Sequence, residues 1–192
     1  MSEMLRTFIC IELPETLKSR MEALVAEVRK ESRDSVSWVK PANTHLTLRF
    51  LGDIARERQA DLRAAVEQAT AGVAPFSITA SGAGAFPNPR NARVLWIGIK
   101  GSDLELIPIQ KRLERELESA GFGKADKPFS PHLTIGRARQ GKAPQAAEAL
   151  SRIGFEDLTF EVGEVIVMRS ELKPTGAVYT RLATVGLIGL KG

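Results

Sequence analysis

A four-residue pattern occurs twice in this chain of 192 residues and limits the folds that the chain can adopt. The two copies are His45-Leu46-Thr47-Leu48 and His132-Leu133-Thr134-Ile135, and their histidines lie 87 residues apart. The same shift places the β-rich stretch 8–11 on 95–98 and aligns the helical patterns that follow. A repeat of this length predicts two similar lobes, each with a strand, a helix and a strand that carries a histidine.

Hydrophobic periodicity divides the rest of the chain into alternating strands and helices, which indicates a mixed α and β fold. Strands are predicted at 5–13, 36–39, 45–51, 76–80, 93–100 and 132–138, with a final pair in 158–169 and 178–187. Helices are predicted after Pro14 and at about 56–71, 103–120 and 144–151. The glycine-rich stretch 82–89 is interpreted as the end of a strand followed by a loop.

Each motif has a polar and an apolar face when it is extended, because successive side chains of a strand point to opposite sides. Histidine and threonine share one face, and the two aliphatic residues share the other. If the lobes face each other about a pseudo-twofold axis, the polar faces converge on one cleft. That cleft would hold two imidazoles and two hydroxyls.

This set of groups suits the cleavage of a phosphodiester. In-line displacement at phosphorus needs a base for the attacking oxygen and an acid for the leaving oxygen. Two histidines with pKa values near about 6 to 7 can divide these roles, and the hydroxyls can donate to the phosphate oxygens. The residues alone do not decide which histidine is the acid.

Two alternatives compete with this interpretation. A single histidine on an amphipathic strand is usually a structural residue, but two matching copies in matching lobes favour a site. Metal binding is not expected, because Cys10 is the single cysteine and the two histidines show neither H-x-H nor H-x-x-x-H spacing. The phosphate-binding G-x-x-x-x-G-K-[ST] loop and the G-x-S-x-G elbow do not occur either.

Other side chains near the motifs are candidate substrate contacts. Arg49 follows His45 by four residues, so a regular strand would place its guanidinium on the histidine face, toward phosphate. Phe129 lies just before the second motif and is a candidate stacking surface for a base, as are Phe8, Trp38 and Tyr179. Packing in the core is the alternative for these aromatic residues, and a surface ion pair is the alternative for arginine.

Charge and the chain's start bear on partners and location. The formal net charge of +4 is too small for a surface that coats nucleic acid, and it suits a cleft for one phosphate. The first residues lack the features of a signal peptide, and no apolar run approaches the roughly 18 residues of a membrane span. A cytoplasmic protein without membrane contact is therefore expected, with a reduced cysteine.

The two motifs, with their flanks Thr44 to Gly52 and Lys127 to Arg137, closely resemble those of the 2H phosphoesterases. Within that superfamily the chain is similar to the bacterial and archaeal RNA 2′,3′-cyclic phosphodiesterases, formerly called 2′-5′ RNA ligases. The resemblance extends over nearly the whole chain and includes Arg6-Thr7-Phe8-Ile9, Leu13-Pro14, Arg93-Val94-Leu95-Trp96, Ser170, Gly176 and Tyr179.

The resemblance implies an α+β fold in which two pseudo-symmetric βα lobes with antiparallel sheets flank a central active-site cleft. Residues 1–192 would form one domain of two intertwined lobes, each carrying one motif strand, His45 to Leu48 or His132 to Ile135. No cofactor or metal is implied. The partners would be RNA ends or nucleotides that bear a 2′,3′-cyclic phosphate, and the protein would act as a monomer.

The resemblance also implies roles for residues. His45 would be the proton donor to the departing 3′ oxygen, and His132 would be the proton acceptor that activates water, which leaves a 2′-phosphomonoester. Thr47 and Thr134 would hold the phosphate. Arg137 occupies the motif arginine, but a regular strand would point it away from His132, so a bend or bulge at Gly136 is needed to turn it toward the cleft.

Three other functions remain open. The first is joining or cleavage of 2′-5′ RNA ends with the same acid and base. The second is noncatalytic binding of RNA or nucleotide phosphates, and the third is hydrolysis of a small nucleotide such as a cyclic ADP-ribose phosphate.

Overall fold

The computed structural model describes residues 3–101, 104–174 and 176–189, which contain nine strands and four helices. In chain order they are β1 (Met4–Glu12), α1 (Glu15–Glu31), β2 (Val36–Trp38), β3 (His45–Ala55), α2 (Gln59–Thr70), β4 (Phe76–Phe86), β5 (Val94–Lys100), α3 (Leu106–Ser119), β6 (His132–Ala138), α4 (Pro144–Ile153), β7 (Leu158–Val162), β8 (Glu164–Lys173) and β9 (Gly176–Gly186). Short 3-10 turns lie at Pro41–Asn43, Arg56–Arg58 and Pro89–Asn91.

The strands form two antiparallel sheets, so the predicted α+β class with two antiparallel sheets is confirmed. The first sheet has the order β3-β1-β8-β9, and the second has the order β2-β6-β5-β4-β7. Both chain ends contribute to the first sheet, whereas β2 leaves the first half of the chain to pair with β6. The two halves of the sequence therefore exchange strands.

The repeat is visible in the pairing. In each half, the first strand of the repeat pairs with the motif strand, β1 with β3 and β5 with β6. The intervening helices bury one stripe; in α1 the stripe consists of Leu17, Met21, Leu24 and Val28. Helix α1 packs against α4, and α2 packs against α3. Leu46 and Leu133 of the two motifs belong to the same hydrophobic core.

The prediction of a loop after residue 81 is wrong, because β4 continues to Phe86. Gly82 forms a bulge in its pairing with β5 and has a φ of 65°, which glycine adopts without strain. Gly84 is covered by the Trp96 ring; a Cβ there would lie 2.5 Å from that ring. These glycines therefore shape a strand that accepts a tryptophan.

The last predicted pair of strands is in fact three strands. Gly163 separates β7, which joins the second sheet, from β8, which joins the first. The predicted start of the third helix at Asp103 lies outside the described residues, and α3 begins at Leu106. Within the described ranges, no helix is both long and apolar enough to cross a membrane.

Candidate active site

The two motif strands lie in different sheets and contact each other, β3 against β6. The predicted alternation is present in both. His45, Thr47, His132 and Thr134 are half-buried, while Leu46, Leu48, Leu133 and Ile135 are 3 % exposed or less. The aliphatic residues anchor each strand in the core, and the polar residues lie on the other face.

A β-bulge occurs at the fourth residue of both motifs. The pairing of β1 with β3 passes from Thr47 to Arg49 and leaves out Leu48. The pairing of β5 with β6 passes from Thr134 to Gly136 and leaves out Ile135. An extra residue in a strand shifts the alternation that follows it. The fifth residue after each histidine, and not the fourth, is thereby returned to the histidine face.

Arg49 is consequently misplaced by the sequence prediction. It is 7 % exposed, and its Nη1 donates to Oε2 of Glu114 on α3 over 2.6 Å. Its Nη2 donates to the carbonyl oxygen of Gly123 over 3.2 Å. The prediction assumed a regular strand, whereas the bulge at Leu48 turns this side chain to the helix-covered face. Arg49 links β3 to α3 and does not face the cleft.

Arg137 is exposed and lies opposite Val94 in the second sheet. The bend predicted at Gly136 is present as the bulge, and Val36 and Trp38 pack so closely on Gly136 that a Cβ would lie 2.8 Å from the Val36 side chain. Burial raises the pKa of Tyr179 in the first sheet, and the positive charge of Arg137 acts on it in the opposite direction. The guanidinium is therefore close enough to the first sheet to influence its titration.

His45 is enclosed by aromatic rings of the first sheet. The ring of Tyr179 lies 5.0 Å away and that of Phe8 5.7 Å away, both edge to face. Burial lowers the pKa of His45, and Glu12, its partner across the strand pair, offsets part of that effect. Asn43 donates from Nδ2 to the carbonyl oxygen of Ala177 over 2.9 Å, which ties the turn before His45 to β9.

His132 is oriented by its own chain. Its Nδ1 donates to the carbonyl oxygen of Ser130 over 2.7 Å, and since a carbonyl only accepts, this nitrogen carries the hydrogen. In the neutral ring, Nε2 is then the nitrogen that can accept a proton. The Phe86 ring packs edge to face at 5.1 Å and supports the imidazole from the side.

Two cavities lie along the first sheet, and Tyr179 lines both of them. One, of about 450 Å³, is also lined by His45, Glu12, Asn43 and Arg181. The other, of about 330 Å³, is lined by Arg6, Phe8, Phe50 and Ser170 among others. Space for a ligand therefore extends from His45 past the aromatic rings.

The aromatic candidates divide between cleft and core. Phe8 and Tyr179 contact His45, whereas Phe129 and Trp38 pack against the hydrophobic core. A substrate contact of Phe129 stays a prediction. Sequence reasoning did not select Phe86 as the neighbour of His132, since that residue fell in a predicted loop.

Phe50 was also missed. A regular strand would turn it away from His45, and only the bulge places it beside Phe8, with 5.7 Å between the ring centres. Among the described residues, no group of three histidine, cysteine, aspartate or glutamate side chains is arranged to hold a metal ion.

Comparison with known proteins places this site in a family. The family model of the LigT-like phosphoesterases matches residues 11–96 and 99–179. The RNA 2′,3′-cyclic phosphodiesterase of Methanothermobacter thermautotrophicus is 34% identical over 180 residues, which cover 91% of this chain and 95% of that protein. The protein of the same name from Thermus thermophilus is 33% identical over 196 residues, or 98% of this chain and 93% of its own.

Solved structures agree with the sequence comparisons. A crystal structure of a Thermus thermophilus protein has a TM-score of 0.79 at 29% identity and covers 97% of this chain and 100% of its own. Escherichia coli LigT complexed with NADP⁺ has a TM-score of 0.77 at 25% identity, over 96% of this chain and 99% of its own. With its paired histidine strands and a family match over most of its length, this chain belongs to the LigT-like phosphoesterases.

Proposed function

We propose that this enzyme hydrolyses the 2′,3′-cyclic phosphate of RNA ends or nucleotides to a 2′-phosphomonoester, without a metal ion. The observation that carries the proposal is the pair of His-Thr faces on contacting strands, each with a bulge at the same motif residue. The names of the relatives from Methanothermobacter and Thermus support the substrate class.

The reaction needs one proton removed and one proton supplied. His132 takes a proton at Nε2 from water as the water oxygen bonds to phosphorus. The bond between phosphorus and the 3′ oxygen breaks on the opposite side, and protonated His45 delivers its proton to that oxygen. The product carries a 2′-phosphate and a 3′-hydroxyl, and proton exchange with solvent restores both imidazoles.

Negative charge on the non-bridging phosphate oxygens is held by donors from both sheets. The hydroxyls of Thr47 and Thr134 lie on the same faces as the histidines. Arg137 adds a guanidinium, whose planar donors match phosphate. Donors that are already in place stabilise the transition state without reorganising during the reaction.

The burial of His45 fits a role that depends on substrate. In the free enzyme burial favours the neutral ring, so the acid is not fully charged. A bound phosphodiester brings a negative charge next to the imidazole and favours the protonated form. Substrate binding thus prepares the acid for the leaving oxygen.

Turnover of a nucleoside 2′,3′-cyclic phosphate by single-site variants tests the proposal. We expect His45→Ala and His132→Ala each to lose about 10²- to 10⁴-fold in kcat, since each removes one proton-transfer group. Wild-type activity should persist in a chelator. Full activity in either variant, or binding without turnover by the wild type, would contradict the proposal; the latter result would identify a binding protein.

The assignment of acid and base has its own test. A diester with a 4-nitrophenol leaving group leaves without protonation, so His45→Ala should retain most activity on it while His132→Ala loses activity. The reverse pattern would exchange the two roles. Joining of RNA ends that carry 2′,3′-cyclic phosphate and 5′-hydroxyl, assayed in parallel, would show whether the enzyme also ligates.

A further inference from the structure

We propose that the cavity beside Phe50 binds the base of the nucleotide that carries the cyclic phosphate, with Phe50 as the stacking surface. This inference rests on the proposed function and names a subsite of the same cleft. It assigns a role to a residue that lies outside the two His-x-Thr-x motifs.

Phe50 is unusually exposed for a phenylalanine. Its side chain is 66 % exposed, and it is the one aromatic residue among the large hydrophobic side chains that are strongly exposed in the described ranges. An exposed aromatic ring on a concave surface indicates a contact with a partner or ligand.

The bulge explains how Phe50 reaches the cleft. Counting from each histidine, Phe50 and Arg137 are the fifth residues, and both bulges return that position to the histidine face. The two halves of the repeat thus present different groups at the same place. The second sheet offers a guanidinium for phosphate, and the first offers a flat apolar ring.

The distance from Phe50 to the reacting atoms suits one nucleoside. Phe8 lies between Phe50 and His45, with 5.7 Å between ring centres on each side. If His45 protonates the 3′ oxygen, the ribose lies against His45 and its base extends along this row of rings. Tyr179 packs on Phe8 at 5.2 Å and borders the same space.

The cavity itself has the composition of a base-binding site. Its aromatic residues are Phe8, Phe50 and Tyr179, and Arg6, Asp53 and Ser170 supply polar groups around them. Apolar walls with a few polar groups are typical of small-molecule sites. Stacking on an aromatic ring is worth about 1–3 kcal/mol per base and accepts any base. We therefore expect all four bases to bind.

The test compares substrates with and without a base. We expect Phe50→Ala to lower kcat/KM about 10-fold to 100-fold for the four nucleoside 2′,3′-cyclic phosphates, as expected for a lost base stack. Activity on methyl riboside 2′,3′-cyclic phosphate, which has no base, should not change. Phe50→Trp should restore the nucleoside activity. Ile188→Ala is the matched control, because Ile188 is equally exposed and lines neither cavity.

Equal losses on substrates with and without a base, or no loss on either, would overturn the subsite. Calorimetric binding of a nucleoside 2′-monophosphate gives a second readout that needs no turnover. Weaker binding by Phe50→Ala supports the subsite even if the wild type hydrolyses no cyclic phosphate, in which case the proposed function alone fails. Unchanged binding overturns the subsite while leaving the proposed hydrolysis to its own test.

Discussion

Arg49 and Arg137 carry the same guanidinium on the two motif strands, yet they contact different parts of the molecule. Arg49 forms a buried ion pair with Glu114, whereas Arg137 is exposed, with its charge acting on Tyr179. Residue type and spacing selected both as phosphate contacts. Only the backbone irregularity after each threonine separates them.

The two arginines should therefore respond differently to substitution. Arg49→Met leaves Glu114 without its buried partner, so we expect the free energy of unfolding to fall by about 3 kcal/mol with kcat/KM of the folded enzyme unchanged. Arg137→Ala should leave stability within about 0.5 kcal/mol and lower kcat/KM by about 10²-fold or more. Urea denaturation and kinetics on the same samples measure both. An Arg49→Met enzyme that is stable but inactive would contradict this division.

His45 predicts a pH effect with a defined sign. Burial disfavours the imidazolium, so His45 should titrate below its ordinary pKa of 6.5. The unfolded chain then takes up a proton first as the pH falls, and the stability that the neutral ring contributes above pH 6.5 is lost on acidification. Glu12→Gln should lower the pKa further, because it removes an attracting charge.

Proton NMR of the imidazole Cε1–H groups measures this pKa directly, and His132→Gln identifies which of the two signals belongs to His45. Glu148→Gln is the control, since Glu148 is an exposed carboxylate on α4. A His45 pKa above 6.5, or a rise in Glu12→Gln, would show that the charge of Glu12 does not act as described.

At the scale of elements, the motif strands and α1 could be predicted because their alternation and periodicity follow from burial on one face. β6 matches its predicted bounds of 132–138. The bulge at Leu48 could not be predicted, because its sequence is that of a regular strand and the extra residue is set by pairing with β1. β4 was cut short because glycine signals a turn, whereas Gly84 here admits Trp96.

Gly136 provides a test of the second bulge. A Cβ at this position would lie 2.8 Å from the Val36 side chain and 3.0 Å from Trp38, so Gly136→Ala should force β2 and β6 apart. We expect a loss of about 1–3 kcal/mol in stability from overpacking, together with lower activity. Gly163→Ala is the control, since nothing lies within 4 Å of its Cβ. Equal stability of the two variants in thermal denaturation would contradict the packing argument.

At the scale of the whole molecule, the exchange of strands joins the two lobes. β2 enters the second sheet, β8 and β9 return to the first, and one hydrophobic core contains residues of both. The repeat could be detected in sequence, because its two motifs are nearly identical. The exchange could not, because β7 and β8 are separated only by Gly163 and show the same pattern.

We propose that residues 1–192 unfold as one domain. Because neither half of the chain completes a sheet alone, we expect a single transition in urea, with fluorescence of Trp38 and Trp96 and far-ultraviolet circular dichroism giving the same midpoint. Two transitions, or different midpoints from the two probes, would show that the lobes are separate units.

The central claim is that two histidines in one cleft open a 2′,3′-cyclic phosphate at its 3′ oxygen. Phosphorus NMR of adenosine 2′,3′-cyclic phosphate incubated with enzyme and chelator tests it most directly. We predict that the cyclic signal is replaced by that of the 2′-monophosphate, and that it persists with His45→Ala and with His132→Ala. A 3′-monophosphate, inorganic phosphate or an unchanged cyclic signal with the wild-type enzyme would contradict the account.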